Sequence, residues 1–149
     1  MSLDAEISAE LTGRERLEAL MESPRRPGIV DTLDFNLIEV GDGRVVFEGA
    51  PSRKVYNPIG TVHGGYTATL LDSACGCAVQ SKLTGAQSYT TLELKVAYHR
   101  AMTDATGPVR AEGKLVTLGR RAAFAEATLR GLDGRLYASA TSTLLVFER

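Results

Sequence analysis

The sequence predicts an α+β fold in which about five or six antiparallel strands curl around one central helix. Three observations carry this expectation. Strand-like runs separated by turn residues fill most of positions 33–147. Only one long helical stretch, 64–83, interrupts them. That stretch has almost no charged side, so it must be buried on most sides. Gly64, Gly65, Ala68, Ser73, Ala74, Gly76 and Ala78 also make it thin enough for a sheet to close around it.

Each element follows from local pattern. Residues 4–22 read as an N-terminal helix, because Ile7, Leu11, Leu17, Leu20 and Met21 fall near helical spacing with Glu and Arg between them. Ser23-Pro24 stops it and Pro27-Gly28 extends the break. Runs 33–40 and 44–50 flank Gly41-Asp42-Gly43, a hairpin signal. After the central helix come runs 89–99, 108–118, 121–130 and 135–147. In the first of these, Leu92, Leu94, Val96 and Tyr98 alternate with Glu93, Lys95, Ala97 and His99, which predicts one buried face. Run 121–130 has little polar surface (Ala122, Phe124, Ala125, Ala127, Leu129), so it is expected inside the sheet. No repeat, low-complexity tract or second domain is visible. The expected organisation is a single domain over 1–149, with 1–29 as helix and linker and 30–149 as core.

Bulk properties exclude several classes. The 149 residues suffice for one domain with a real core. Seventeen basic and eighteen acidic residues leave a net charge of −1. No basic excess points to nucleic acid or an anionic membrane. No apolar run reaches membrane-spanning length, and the charged first 22 residues do not read as a signal peptide. Cys75 and Cys77 sit about 200° apart around a helix axis, so neither a disulfide nor a shared metal is expected. Two small core cysteines suit a reducing cytoplasm.

The chemistry concentrates in 57–72. A turn-prone loop, Asn57-Pro58-Ile59-Gly60-Thr61-Val62, leads into His63-Gly64-Gly65 and the apolar helix. Asp72 is the one acid between Glu48 and Glu93. A lone acid in an apolar helix is costly unless it has partners or a task. Gly64 opens the helix, so its N–H lacks an intrahelical partner and lies at the positive end of the dipole. Lacking a side chain, it lets a substrate carbonyl come close. Gly64 is therefore the candidate oxyanion donor, and Asp72 the candidate general base or nucleophile.

The pattern Asn57-(x2)-Gly60-(x2)-His63-Gly64-Gly65-(x6)-Asp72, followed by Thr91-Leu92-Glu93-Leu94-Lys95-Val96-Ala97-Tyr98, resembles the hotdog-fold acyl-CoA thioesterases of the phenylacetate-pathway (PaaI-like) type. Gly119-Arg120-Arg121 and Asp133-Gly134-Arg135 extend the resemblance across 30–147. It implies a hotdog fold and metal-free, cofactor-free hydrolysis of an acyl-CoA, with an aromatic or medium-chain acyl group. It also implies a homodimer that assembles into a homotetramer. Asn57 matches a loop asparagine that orients water or the substrate carbonyl; the other reading is an Asx-turn before Pro58. His63 matches a residue that fixes the loop, with direct base catalysis as the other reading. Thr91 matches a Ser/Thr that positions water, with Thr90 as competitor, since the two point to opposite sheet faces. Gly65 and Tyr66 are candidate substrate contacts. Tyr66 and Tyr98 line an acyl pocket or pack elsewhere, and Arg120, Arg121, Arg100 and Lys82 are candidates for the CoA phosphates or ordinary surface charges.

Eight positions of helix separate Gly64 from Asp72, roughly 12 Å along the axis. One substrate carbonyl cannot meet both in one chain. Two antiparallel helices across a two-fold axis would bring Asp72 of one copy to Gly64 of the other. A hydratase or dehydratase is one alternative, but the sequence lacks the Asp two residues before Asn57 that an Asp-x-Asn-x-x-His element needs. A non-catalytic acyl-CoA-binding protein is another.

Overall fold

The computed structural model describes residues 10–149. Helix α1 spans Gly13–Glu22. The expected start at residue 4 falls outside the described residues, and residues 10–12 are not helical. Thr12 begins the helix through a capping box. Its hydroxyl accepts from the Glu15 N–H, and Glu15 accepts from the Thr12 N–H at 2.8 Å. A second difference follows. The Pro27-Gly28 break starts a short helix, α2, Gly28–Leu33, that ends on Asp34 in a left-handed conformation (φ 53°). The Arg26 guanidinium donates to the carbonyls of Val30 and Phe35 at 3.2 and 3.0 Å and so ties this turn to the sheet. The first strand consequently starts at Phe35, not at residue 33.

Strands β1 (Phe35–Gly41) and β2 (Arg44–Gly49) form the expected hairpin, with Gly43 at φ +71°. A 3-10 turn at Arg53–Val55 precedes the long helix α3, Gly64–Gln80. Ser81 stops α3 short of residue 83: its hydroxyl donates to the Ala78 carbonyl and accepts from the Gly43 N–H. Strands β3 (Gln87–Tyr98), β4 (Val109–Leu118), β5 (Ala122–Gly131) and β6 (Leu136–Glu148) complete an antiparallel six-stranded sheet of order β1-β2-β4-β5-β6-β3. Strand β5 lies inside the sheet, as its sequence predicts.

One face of the sheet meets α3. Val45, Phe47, Val109, Ala111, Ala123, Leu129, Ala138 and Leu144 bury against Leu70, Leu71, Ala74, Cys75 and Val79. Each large aliphatic side chain buried here contributes roughly 1.5–3 kcal/mol. Gly113 lets the helix sit directly on β4: a side chain there would run into the Ala74 carbonyl. The opposite face carries charge, with Arg44, Glu112 and Lys114 joined in a cross-strand network.

Strand β3 departs from the simple alternation. The register with β6 slips between Thr91 and Glu93, so Leu92 is a bulge and stands 61% exposed. Thr91 pairs with Leu144, whereas Leu94, Val96 and Tyr98 pair with Ser142, Ala140 and Ala138. The extra residue therefore puts Thr91 on the helix-facing side together with Leu94 and Val96. Unbroken alternation would have put Thr90 there. The expected buried face is only partial, because β3 is an edge strand and Tyr98 is exposed.

Candidate functional site

The loop before α3 is held rigidly. The Asn57 side-chain oxygen accepts from the N–H groups of Ile59 and Thr61, both at 3.1 Å, and its amide donates to the Thr61 hydroxyl at 2.9 Å. The Asn57 N–H reaches the Thr61 carbonyl, and Gly60 takes φ +91° to close the turn. The Asx-turn geometry is thus present, and it occupies most of the asparagine amide. The next residues are anchored through Val62 N–H to Met102 and His63 N–H to Val55.

His63 is the N-cap of α3. Its Nδ1 accepts from the Gly65 N–H at 2.8 Å, which leaves that nitrogen unprotonated and committed to the cap. The Tyr98 hydroxyl donates to the Gly64 carbonyl at 2.8 Å. Among the described residues nothing bonds the Gly64 N–H. Gly64 itself is half-buried and Gly65 exposed.

Two turns further along α3 lies Asp72. The Thr91 hydroxyl donates to its Oδ1 at 3.0 Å. In this single chain Asp72 is half-buried, less enclosed than an acid in an apolar helix was expected to be, because β3 covers only one side of it. Thr90 is exposed on the other sheet face and does not reach Asp72. Cys75 and Cys77 are free thiols on either side of the helix. Burial, with the Asp72 charge nearby, raises both to about 12.

The remaining sequence candidates separate. Tyr66 is 3% exposed, its hydroxyl set where a side chain on Gly49 would otherwise lie. It is a core residue and does not line an open pocket. Burial, then the Asp34 charge, raises its phenol to about 12. Lys82 is paired with Asp42 at 2.6 Å. Arg100, Arg120 and Arg121 are exposed. The register Ala123–Leu144–Thr91 puts the Arg120-Arg121 turn at the Asp72 end of the sheet. Sequence reasoning missed the bond from Tyr98 to Gly64; its one trace was an aromatic hydroxyl closing a strand that runs beside the helix. Among the described residues no group of three or more His, Cys, Asp or Glu side chains is placed to hold a metal ion.

A family model described as the Thioesterase superfamily matches residues 59–138, over half of the chain. This chain belongs to the thioesterase superfamily. The match takes in the loop from Ile59 onward, α3, strands β3 to β5 and the start of β6. A curated relative, named "Putative esterase", comes from Saccharolobus solfataricus. It is 30% identical over 116 residues, covering 78% of this chain and 81% of the relative. A phenylacetic acid degradation-related protein from Ralstonia eutropha JMP134 superposes with a TM-score of 0.76 at 26% identity, covering 91% of this chain and 99% of that one. A "hypothetical thioesterase protein" from Streptococcus pneumoniae TIGR4, solved with coenzyme A, gives 0.71 at 25% identity, covering 80% and 91%. The chain has the hotdog fold, as the resemblance in its sequence implied. None of its helices, among the described residues, is long and apolar enough to cross a membrane.

Proposed function

We propose that this thioesterase hydrolyses acyl-CoA thioesters at sites shared between two copies of the chain. The observation that carries the reading is Asp72, held by Thr91 on the same helix whose first N–H, at Gly64, has no partner among the described residues. The two groups are roughly 12 Å apart along one helix, so one substrate takes Gly64 from one copy and Asp72 from the other. The coenzyme A in the Streptococcus pneumoniae relative supports the choice of thioester.

The steps follow from what each group can do. The thioester oxygen points at the Gly64 N–H, where the helix dipole favours developing negative charge. Thr91 holds Oδ1 of Asp72 and leaves the other oxygen to take a proton from water. That water attacks the carbonyl carbon. The tetrahedral intermediate expels the CoA sulfur, and Asp72 returns the proton to it. Asn57 and His63 fix the loop that presents Gly64 and Gly65 to the substrate. The exposed Arg120 and Arg121, at the Asp72 end of the sheet, meet the CoA phosphates. Pairs of such dimers form the tetramer, and the two free thiols suit a reducing cytoplasm.

The test is thiol release from phenylacetyl-, hydroxybenzoyl-, hexanoyl- and palmitoyl-CoA, with wild type beside Asp72→Asn. Turnover lost by about a hundredfold or more, some 2.7 kcal/mol of barrier, in a folded variant supports the assignment. Gly64→Pro removes the N–H at a position where helices accept proline. Mixing it with Asp72→Ala should restore activity in hybrids carrying one intact site. Hybrids as inactive as their parents would exclude shared sites.

A further inference from the structure

We propose that Tyr98 is a positioning residue for the oxyanion donor, acting with His63 as a clamp on a single peptide group. The inference rests on the thioesterase reading and assigns a role to a residue that reading does not use.

The peptide joining Gly64 to Gly65, which directly follows the donor N–H of Gly64 and fixes its far side, is gripped at both ends. His63 Nδ1 accepts from its N–H at 2.8 Å, and the Tyr98 hydroxyl donates to its carbonyl at 2.8 Å. Two consecutive glycines leave the start of a helix with the greatest backbone freedom. An oxyanion donor works only if its direction is fixed before the reaction. A glycine pair that admits the substrate therefore needs restraint from outside the helix. Both restraints come from residues that are themselves anchored. His63 is tied through its N–H to Val55. Tyr98 ends β3, and the following N–H groups of His99 and Arg100 both bond the Tyr137 carbonyl.

The ring adds a second effect. A Cβ placed on Gly64 would meet Cζ, the hydroxyl oxygen and Cε1 of Tyr98 at 3.0–3.2 Å, so the hydroxyl end of the ring packs against the glycine while the side chain remains 56% exposed. That packing adds a steric restraint on Gly64 to the hydrogen bond at its carbonyl. Its hydroxyl proton is committed to the Gly64 carbonyl, so Tyr98 does not act as an acid on the substrate.

The experiment compares wild type, Tyr98→Phe, Tyr98→Ala, His63→Ala and the Tyr98→Phe/His63→Ala pair. Steady-state thiol release is followed alongside NMR of protein carrying carbonyl-labelled glycine. Tyr98→Phe keeps the ring and loses one hydrogen bond. Its kcat should fall about tenfold with KM within about twofold, and the Gly64 carbonyl resonance should move. Tyr98→Ala should fall further and speed exchange of the Gly65 amide. The paired variant should lose less than the product of the single losses, because both act on one peptide. Wild-type kcat in Tyr98→Phe, or a loss confined to KM, overturns the positioning role. An unmoved carbonyl resonance overturns the clamp. Wild type inert toward every thioester would instead sink the thioesterase reading, and the positioning role with it; the clamp would still be judged by the resonance.

Discussion

Replacing Gly113 by alanine tests how the central helix is seated. The added methyl would run into the Ala74 carbonyl and come within 3.0 Å of the Ala74 methyl. The carbonyl belongs to the helix backbone and cannot rotate aside, so α3 must lift from β4. Overpacking a tight core costs about 1–3 kcal/mol, and a collision with backbone puts this site at the upper end, about 3 kcal/mol. With a urea m-value of about 2–3 kcal/mol/M, the unfolding midpoint should drop by about 1–1.5 M. Thiol release should drop as well, since Asp72 and Gly64 ride on the displaced helix. Gly28→Ala is the control, because nothing lies within 4 Å of a methyl there, and it should be neutral or slightly stabilising. Urea titrations followed by circular dichroism decide the matter. A Gly113→Ala protein with a wild-type midpoint and wild-type turnover would refute the seating described above.

Two further outcomes are expected. Thr91→Val removes the donor to Asp72 without changing side-chain size and should lower kcat about tenfold, whereas Thr90→Val on the other face should leave it unchanged; equal effects in a thiol-release assay would contradict the assignment. Folding raises Cys75 and Cys77 from 9.0 to about 12, and Tyr66 from 10.0 to about 12, in each case mainly through burial. Each folded-state value exceeds the unfolded one, so the stabilisation is complete below about pH 9 and is lost as pH climbs toward 12. Urea midpoints should therefore decline steadily above pH 9, and iodoacetamide should label native protein at pH 8 far more slowly than unfolded protein; a flat alkaline profile with fast native labelling would count against thiol burial.

Much of the fold was legible because its signals are local. The apolar, small-residue stretch announced α3, and turn residues punctuated the strands at nearly their observed ends. The loop-fixing reading of His63 came from the family resemblance, and the residue stands as the N-cap of α3. The departures come from tertiary forces. Helix α2 carries Ile, Val and Thr, poor helix formers, and its closing turn is tied down by Arg26. The Thr12–Glu15 capping box was a usable signal that the longer apolar spacing masked. The choice between Thr90 and Thr91 depends on a bulge at Leu92, and a bulge leaves no mark in an alternation pattern. Tyr66 read equally as a pocket or a core residue, because Gly49, against which its hydroxyl sits, is distant in sequence.

Strand β3 carries Thr91 near one end and Tyr98 at the other, about 20 Å apart along the chain. Thr91 touches the acid and Tyr98 touches the glycine of the same copy. Under the two-subunit arrangement, those two groups serve different reactions. Each β3 then acts as a crossbar between neighbouring catalytic centres, with the Leu92 bulge as its bend. Changing the pitch of that crossbar, for instance by deleting Leu92, would disturb both centres together. Acid and oxyanion donor would be tuned as a matched set, and selection for a new acyl group would act more freely on the loops than on this strand.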